Sequence, residues 1–162
     1  MKMIAASAKD GGIGKNGKLL VNIPSDMKYF RKQTLGKTVV MGRATLESFP
    51  GGKPLPKRRN IVLSTKLAPG EGYEVCKNEE ELHAMLSGED PENVMVIGGG
   101  QIYKLLLPYY TEALITEVEG TFEADTYIPI FSELPEWEIA QKSDLIEENG
   151  ISFRFVVYRR IY

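Results

Sequence analysis

Two glycine-bearing junctions and one carboxylate are the groups in this chain best placed to do chemistry. Gly98-Gly99-Gly100 follows the apolar run Val94-Met95-Val96-Ile97 and precedes a helical stretch. Strand-to-helix junctions are where α/β proteins bind ligands. Three bare backbone units let a ligand approach closely, and a helix N-terminus favours a phosphate. A tight turn would need only one such glycine, so three in a row favour binding. Val39-Val40-Met41-Gly42-Arg43-Ala44-Thr45 repeats the arrangement, with a guanidinium fork at Arg43 and a hydroxyl at Thr45. Gly-Arg after a strand is commonplace by itself. Two such junctions in a small domain suggest a ligand with several phosphates.

A third glycine stretch carries less. Gly12-Ile13-Gly14-Lys15-Asn16-Gly17 spells G-x-G-x-x-G, but Leu19–Ile23 runs straight into Pro24, so no helix opens where a dinucleotide fingerprint needs one. It also nearly spells a P-loop, except that Leu19 stands where the Mg²⁺-binding hydroxyl belongs. The stretch is predicted to be a mobile Gly-rich loop. Asp26 follows Pro24 in an otherwise apolar stretch. It reads either as a first-turn acid stabilised by the helix dipole or as a desolvated carboxyl with a raised pKa.

The chain that must position these groups has 162 residues, enough for one domain over 1–162. A domain of this size buries roughly two-thirds of its unfolded surface and needs no disulfide or metal staple. Its 43% hydrophobic and 26% charged content is that of an ordinary globular protein. The net charge of −2, with Lys57-Arg58-Arg59 as the longest basic cluster, argues against a nucleic-acid module. One cysteine (Cys76) and one histidine (His83) argue against a disulfide framework and a structural zinc site. The N-terminal apolar run is too short for a signal-peptide core, and no stretch approaches a membrane span of about 20 residues. A cytoplasmic monomer is the expectation.

Short apolar runs alternate with helical patterns, which predicts an α/β domain. Candidate strands are Met3–Ala8, Thr38–Met41, Asn60–Ser64, Val94–Ile97 and Ala113–Glu119. Several are continuous apolar runs, as expected of strands covered on both faces. Candidate helices are Ser25–Thr34, with Met27, Phe30 and Leu35 inward; Ala44–Phe49; Asn78–Ser87, capped by Asn78; and Gln101–Leu107. Trp137–Ile146 and Ile151–Ile161 flank Asn149-Gly150, a hairpin signal, and Ile151, Phe153, Phe155 and Val157 give the last strand one apolar face. The expected fold is therefore a single α/β domain. Its central mixed sheet should be mostly parallel, with flanking helices and an antiparallel C-terminal strand.

Taken together, these segments resemble dihydrofolate reductase almost end to end. Ile4-Ala5-Ala6 with Ile13-Gly14 is similar to the family's first strand and active-site loop. Ile23-Pro24-Ser25-Asp26-Met27-Lys28-Tyr29-Phe30 resembles L-P-x-D-L-x-x-F, and Val40–Ser48 resembles V-M-G-R-x-T-x-x-S. Pro54–Ser64 resembles P-L-P-x-R-x-N-I-V-L-S, while Ile97–Tyr103 and Asp125–Pro129 complete the series.

The resemblance implies an NADPH-dependent oxidoreductase that reduces dihydrofolate to tetrahydrofolate for one-carbon metabolism and thymidylate synthesis, and that is open to antifolates. Hydride would pass to C6 of the pterin and a proton to N5. It implies that Asp26 is the catalytic residue, holding the pterin through N3 and the 2-amino group and polarising it for a proton delivered by solvent, with Thr116 hydrogen-bonded to it. Ile4, Ala5, Phe30, Leu55, Ile97 and Tyr103 would line the substrate pocket, and Arg58 would pair with the substrate's glutamate carboxylate. Ala6, Ile13 and Gly14 would flank the nicotinamide. Gly42, Arg43, Ala44 and Thr45, with Ile97, Gly98, Gly99, Gly100, Gln101 and Ile102, would hold the pyrophosphate and ribose region. Arg43, Ser64 and Thr65 would contact the 2′-phosphate. No metal is implied.

The chain departs from the family pattern at Leu20-Val21, where Pro-Trp is usual, and at Gln101, where arginine is frequent. Val21 in place of Trp predicts a roomier pterin pocket, and Leu20 in place of Pro a freer loop. A pyrimidine reductase of related fold would keep the glycine junctions without a reason to combine Asp26, Phe30 and Arg58. A binding protein that had lost catalysis would fail to oxidise NADPH with dihydrofolate.

Overall fold

The computed structural model describes residues 1–162. In chain order its strands are β1 (Lys2–Ala8), β2 (Gly12–Lys15), β3 (Lys18–Leu19), β4 (Thr38–Gly42), β5 (Arg59–Leu63), β6 (Tyr73–Cys76), β7 (Val94–Gly98), β8 (Glu112–Val118), β9 (Thr126–Tyr127), β10 (Trp137–Lys142), β11 (Ile146–Glu148) and β12 (Ile151–Arg160). The α-helices are α1 (Pro24–Thr34), α2 (Arg43–Ser48), α3 (Glu79–Leu86) and α4 (Gly100–Leu105).

All five apolar runs read as strands lie side by side in one sheet, ordered β10-β12-β8-β1-β7-β4-β5-β6. The pairs from β8 through β6 are parallel, and β12 joins β8 antiparallel. The expected mixed, mostly parallel α/β sheet is what forms. Alternation along the strands feeds two cores. Met3, Val40, Ile61, Val96, Ile115 and Val156 face one side, where α3 and α4 pack. Ile4, Val39, Met41, Val62, Met95 and Leu114 face the other, against α1 and α2. Asn78 caps α3 as expected, its side chain accepting a hydrogen bond from Glu81 N at 2.8 Å.

Four expectations need correction. Met27 and Leu35 do not face inward; they are 61% and 42% exposed. The inward stripe of α1 is Tyr29, Phe30 and Thr34, with Asp26 one turn earlier at helical spacing. Because that stripe is polar at both ends, its apolar pattern misled. The C-terminal strand is apolar on both faces, not one, since Val156 and Tyr158 are buried as fully as Phe153. The stretch Trp137–Ile146 is two strands, β10 and β11, interrupted where Ser143 Oγ accepts from Phe155 N–H. Finally, Gly12–Gly17 opens no helix, as expected, yet it is a hairpin and not an irregular loop. β2 and β3 pair across Asn16-Gly17, whose positive φ values of 52° and 76° suit a two-residue turn.

Candidate active site

The pocket is built from α1 and the ends of β1, β7 and β8. Pro24 starts α1 with its fixed φ, and no side chain caps the helix. Asp26 then points at the sheet, where Thr116 Oγ1 donates a 2.6 Å hydrogen bond to Asp26 Oδ1. Thr116 is 1% exposed and pairs in register with Ala6, so Ala6 shares that face. Burial raises the Asp26 pKa, and the Thr116 hydrogen bond opposes the shift. The carboxyl therefore exchanges its proton closer to neutrality than an exposed aspartate does.

Apolar walls surround it. Ile4, Phe30, Leu55 and Ile97, four of the expected pocket residues, belong to or pack on one cluster with Leu114. Tyr103 packs its ring in the opposite core and reaches this side only through its buried hydroxyl, which donates to Ile4 O at 2.6 Å. Ala5 likewise turns its side chain to the opposite core, leaving only its backbone on this side. Tyr29 stacks on Phe155 with ring centroids 4.2 Å apart, closing the outer flank of α1.

Arg58 stands at the far end of α1. Its Nε donates to Thr34 Oγ1 and its Nη1 to Pro56 O, both at 3.0 Å, while Thr34 Oγ1 donates to Phe30 O at 2.8 Å. Burial and nearby Arg31 lower its pKa from the ordinary value, as suits a cation held without an acid partner. The segment that carries it is organised by Asn60, which is 2% exposed. Asn60 accepts from Leu55 N and donates to the carbonyls of Leu55 and Arg58. Sequence reasoning gave Asn60 and Thr34 no role; a buried Asn beside a Pro-rich turn was the available signal.

The two glycine junctions meet at the ends of neighbouring strands, with Met41 opposite Gly98. The backbones are packed too closely for side chains. A Cβ on Gly42 would lie 3.0 Å from Ile102 Cγ1, and Gly98 has φ +128° beside Thr45 Oγ1. A Cβ on Gly100 would collide with Thr126 Cγ2. Neither α2 nor α4 has a side-chain cap, so their first N–H groups face outward unclaimed. Ala44 and Gln101 are exposed at this mouth. Arg43 is exposed and pairs with Glu47 at 3.1 Å, a surface contact worth about 0–1 kcal/mol that a phosphate can displace. β5 lies next to β4, so Ser64 and Thr65 follow at the same edge. The Ser64 oxygen already accepts from Lys66 N and Leu67 N and keeps its O–H to donate.

The β2–β3 hairpin folds beside β1. Asp125, which the sequence reading left without a role, anchors it by accepting from Asn16 N at 2.9 Å and donating its own N–H to Gly14 O. Gly14 is buried in β2, and Ile13 lies mainly in the core. Val21 packs on Ile23, Val118 and Phe153 beside a void of about 10 Å³ that Ala6 and Ile13 also line. That void is about the size of one water and opens to solvent, with Leu19, Leu20 and Phe122 also lining it.

A recessed acid in an apolar cleft, beside two glycine junctions open to a close-approaching ligand, is the arrangement of a nucleotide-dependent α/β enzyme. Comparison with known proteins narrows this class. The dihydrofolate reductase family model matches residues 1–160. The dihydrofolate reductase of Haemophilus influenzae is 37% identical over 162 residues, covering 98% of this chain and 97% of its own. That of Neisseria meningitidis serogroup A is 38% identical over 160 residues, covering 98% and 96%. A solved dihydrofolate reductase from Enterococcus faecalis, complexed with NADP(H) and RAB-propyl, superposes with a TM-score of 0.84 at 33% identity, covering 98% of this chain and 95% of that one. This chain belongs to the dihydrofolate reductase family.

Proposed function

We propose that this protein reduces 7,8-dihydrofolate to 5,6,7,8-tetrahydrofolate with NADPH. The observation that carries the reading is the Asp26–Thr116 pair, a half-buried carboxyl in an apolar cleft next to a phosphate cradle. NADPH, when bound, supplies the hydride that reaches C6 of the pterin.

The chain's own groups do the rest. The Asp26 carboxylate accepts N–H bonds from N3 and the 2-amino group, which fixes the pterin's orientation. It also polarises the ring so that N5 takes its proton from solvent. Thr116 holds the carboxyl in place and stabilises its charged form. Phe30, Leu55 and Ile97 exclude water from the benzoyl portion, and Arg58 binds the glutamate carboxylate through its guanidinium.

The residues present fit the cofactor. The tight approach at Gly42 and Gly98, with uncapped N–H groups at both junctions, suits a pyrophosphate, and Thr45 adds a hydroxyl. Arg43, Ser64 and Thr65 would bind the 2′-phosphate, and Ala6 and Gly14 would flank the nicotinamide. The product serves one-carbon transfer, including thymidylate formation, and antifolates compete for the pterin site.

The test is NADPH oxidation with dihydrofolate as the only added substrate. Stoichiometric tetrahydrofolate and inhibition by an antifolate are expected. NADPH left unconsumed by an active-site-intact protein would reject the reading, and oxidation only with a ribosylamino-pyrimidine, reduced at C1 of its ribose, would point to a pyrimidine reductase.

A further inference from the structure

A cavity of about 250 Å³ lies where β1 and β8 end, and it is separate from the pterin pocket. In the parallel register Ala6 pairs with Thr116 and Ser7 with Glu117. Alternation sends Ala6 and Thr116 toward Asp26, and Ser7 and Glu117 through to the other face. The Pro129–Glu133 segment roofs the cavity, and Gly11 closes its side.

Its polar groups are incompletely used. Ser7 is 7% exposed, and no protein group hydrogen-bonds its hydroxyl. Glu117 Oε2 accepts from Tyr158 O–H, while Oε1 has no partner. Arg154, opposite Glu117 in register, makes no ion pair with it. The nearby cation, Lys9, is engaged by Glu119 at 2.7 Å. Glu133 adds a second carboxylate at the mouth. The rest of the lining is mixed: Lys9 and Ser132 stand beside Ile115, Ile130 and Phe131, and Phe131 stacks on Tyr158 at 5.7 Å.

We infer that this cavity is a second ligand site, for a small organic cation that carries a primary ammonium on a short hydrocarbon or aromatic body. The ammonium has three donors, which match Glu117 Oε1, the Ser7 oxygen and the Glu133 carboxylate at the mouth. A charge-assisted bond to a carboxylate in a partly dry site is the strongest contact the cavity offers. The cleft of about 250 Å³ has room for a small body against Ile115, Phe131 and the Tyr158 ring. An anion meets two carboxylates, and a neutral isostere leaves Glu117 half-satisfied, so the cation is selected. The inference does not depend on the proposed reductase activity.

Benzylammonium is the probe, titrated into the NADPH-loaded full chain and followed by amide chemical shifts. Saturable shifts are expected at Ser7, Gly11 and Phe131, with the Asp26–Phe30 amides unmoved. Loss of a hydrogen bond to a charged group predicts about tenfold or greater weakening in Glu117→Gln, and a similar deficit for benzyl alcohol on the parent. Ser7→Ala should weaken binding a few-fold. If Glu117→Gln does not fold, the benzylammonium–benzyl alcohol ratio on the parent and on Ser7→Ala decides. Absence of saturation, equal affinity for the neutral analogue, or shifts centred on Asp26 would overturn the site.

Discussion

Around Asp26 the chain supplies side chains: a carboxyl, a threonine hydroxyl, a tyrosine ring and aliphatic walls, recessed against the sheet. Around Gly42 and Gly98 it supplies almost only backbone, with Arg43 exposed beside it and paired with Glu47. The first region changes the chemistry of one group by removing water from it. On the proposed reading, the second would recognise charge by close approach of a phosphate to the backbone. Substitutions at the acid should therefore alter rate and pH dependence, and substitutions at the cradle should alter affinity and cofactor choice.

The largest effect is expected from Asp26→Asn. Loss of a preorganised group that stabilises developing charge costs about 10²–10³-fold in turnover, so steady-state rates at neutral pH should fall by that order. Affinity for NADPH should stay unchanged, which separates the two regions. Arg43→Ala should do the converse. One charge-assisted bond of about 1.5–3 kcal/mol corresponds to roughly 10–100-fold weaker NADPH binding, with NADH binding and turnover at saturation preserved. Fluorescence titration with both cofactors checks this, and equal losses for NADH and NADPH would remove Arg43 from the 2′-phosphate.

Thr116→Val sharpens the boundary further. It deletes the hydrogen bond that lowers the Asp26 pKa and leaves the burial that raises it. The pH–activity profile should move to higher pH, with about a tenfold loss in kcat/KM for a bond to a charged group. A profile unmoved in Thr116→Val would show that the bond does not act on the reacting state.

Smaller effects fall on stability. Because the folded pKa of Asp26 is raised, the native state binds the proton more tightly than the unfolded chain. That contribution is full below the ordinary carboxylate range of about 4 and is lost as pH rises through the folded value. Asp26→Asn should therefore melt higher than the parent at neutral pH, and the difference should vanish in acid. Val21→Trp should cost about 1–3 kcal/mol by overpacking, because the neighbouring void is only about 10 Å³. Denaturant unfolding of the two proteins measures this cost, and unchanged stability with tighter antifolate binding would place Val21 on an open pocket wall.

Both regions differ in how far the sequence discloses them. The cradle is legible because glycines after buried strands have few other purposes, and the five central strands because both their faces are apolar. Asn149-Gly150 marks its hairpin because alternating residues follow it. Asn16-Gly17 forms a similar turn, but the short, Gly- and Lys-rich strands beside it lack that pattern. Asp26 in isolation is an ordinary first-turn acid, and only the resemblance gives it a role. Its partner Thr116 lies 90 residues away, so no local pattern could pair them. The face of α1 was misjudged because its inward positions include Asp26 and Thr34, which an apolar count passes over. The cavity behind Ser7 arises from strand alternation and a roofing turn, neither of which leaves a periodic signal.

The most direct test follows hydride transfer in single turnovers across pH, for the parent and Asp26→Asn with dihydrofolate. The parent should hold its rate into the neutral range. The variant should be slowest at neutral pH and recover as acid pre-protonates the substrate, narrowing the gap steadily. A gap of constant size at every pH, or equal rates at neutrality, would contradict a role for the Asp26 carboxylate in polarising the pterin.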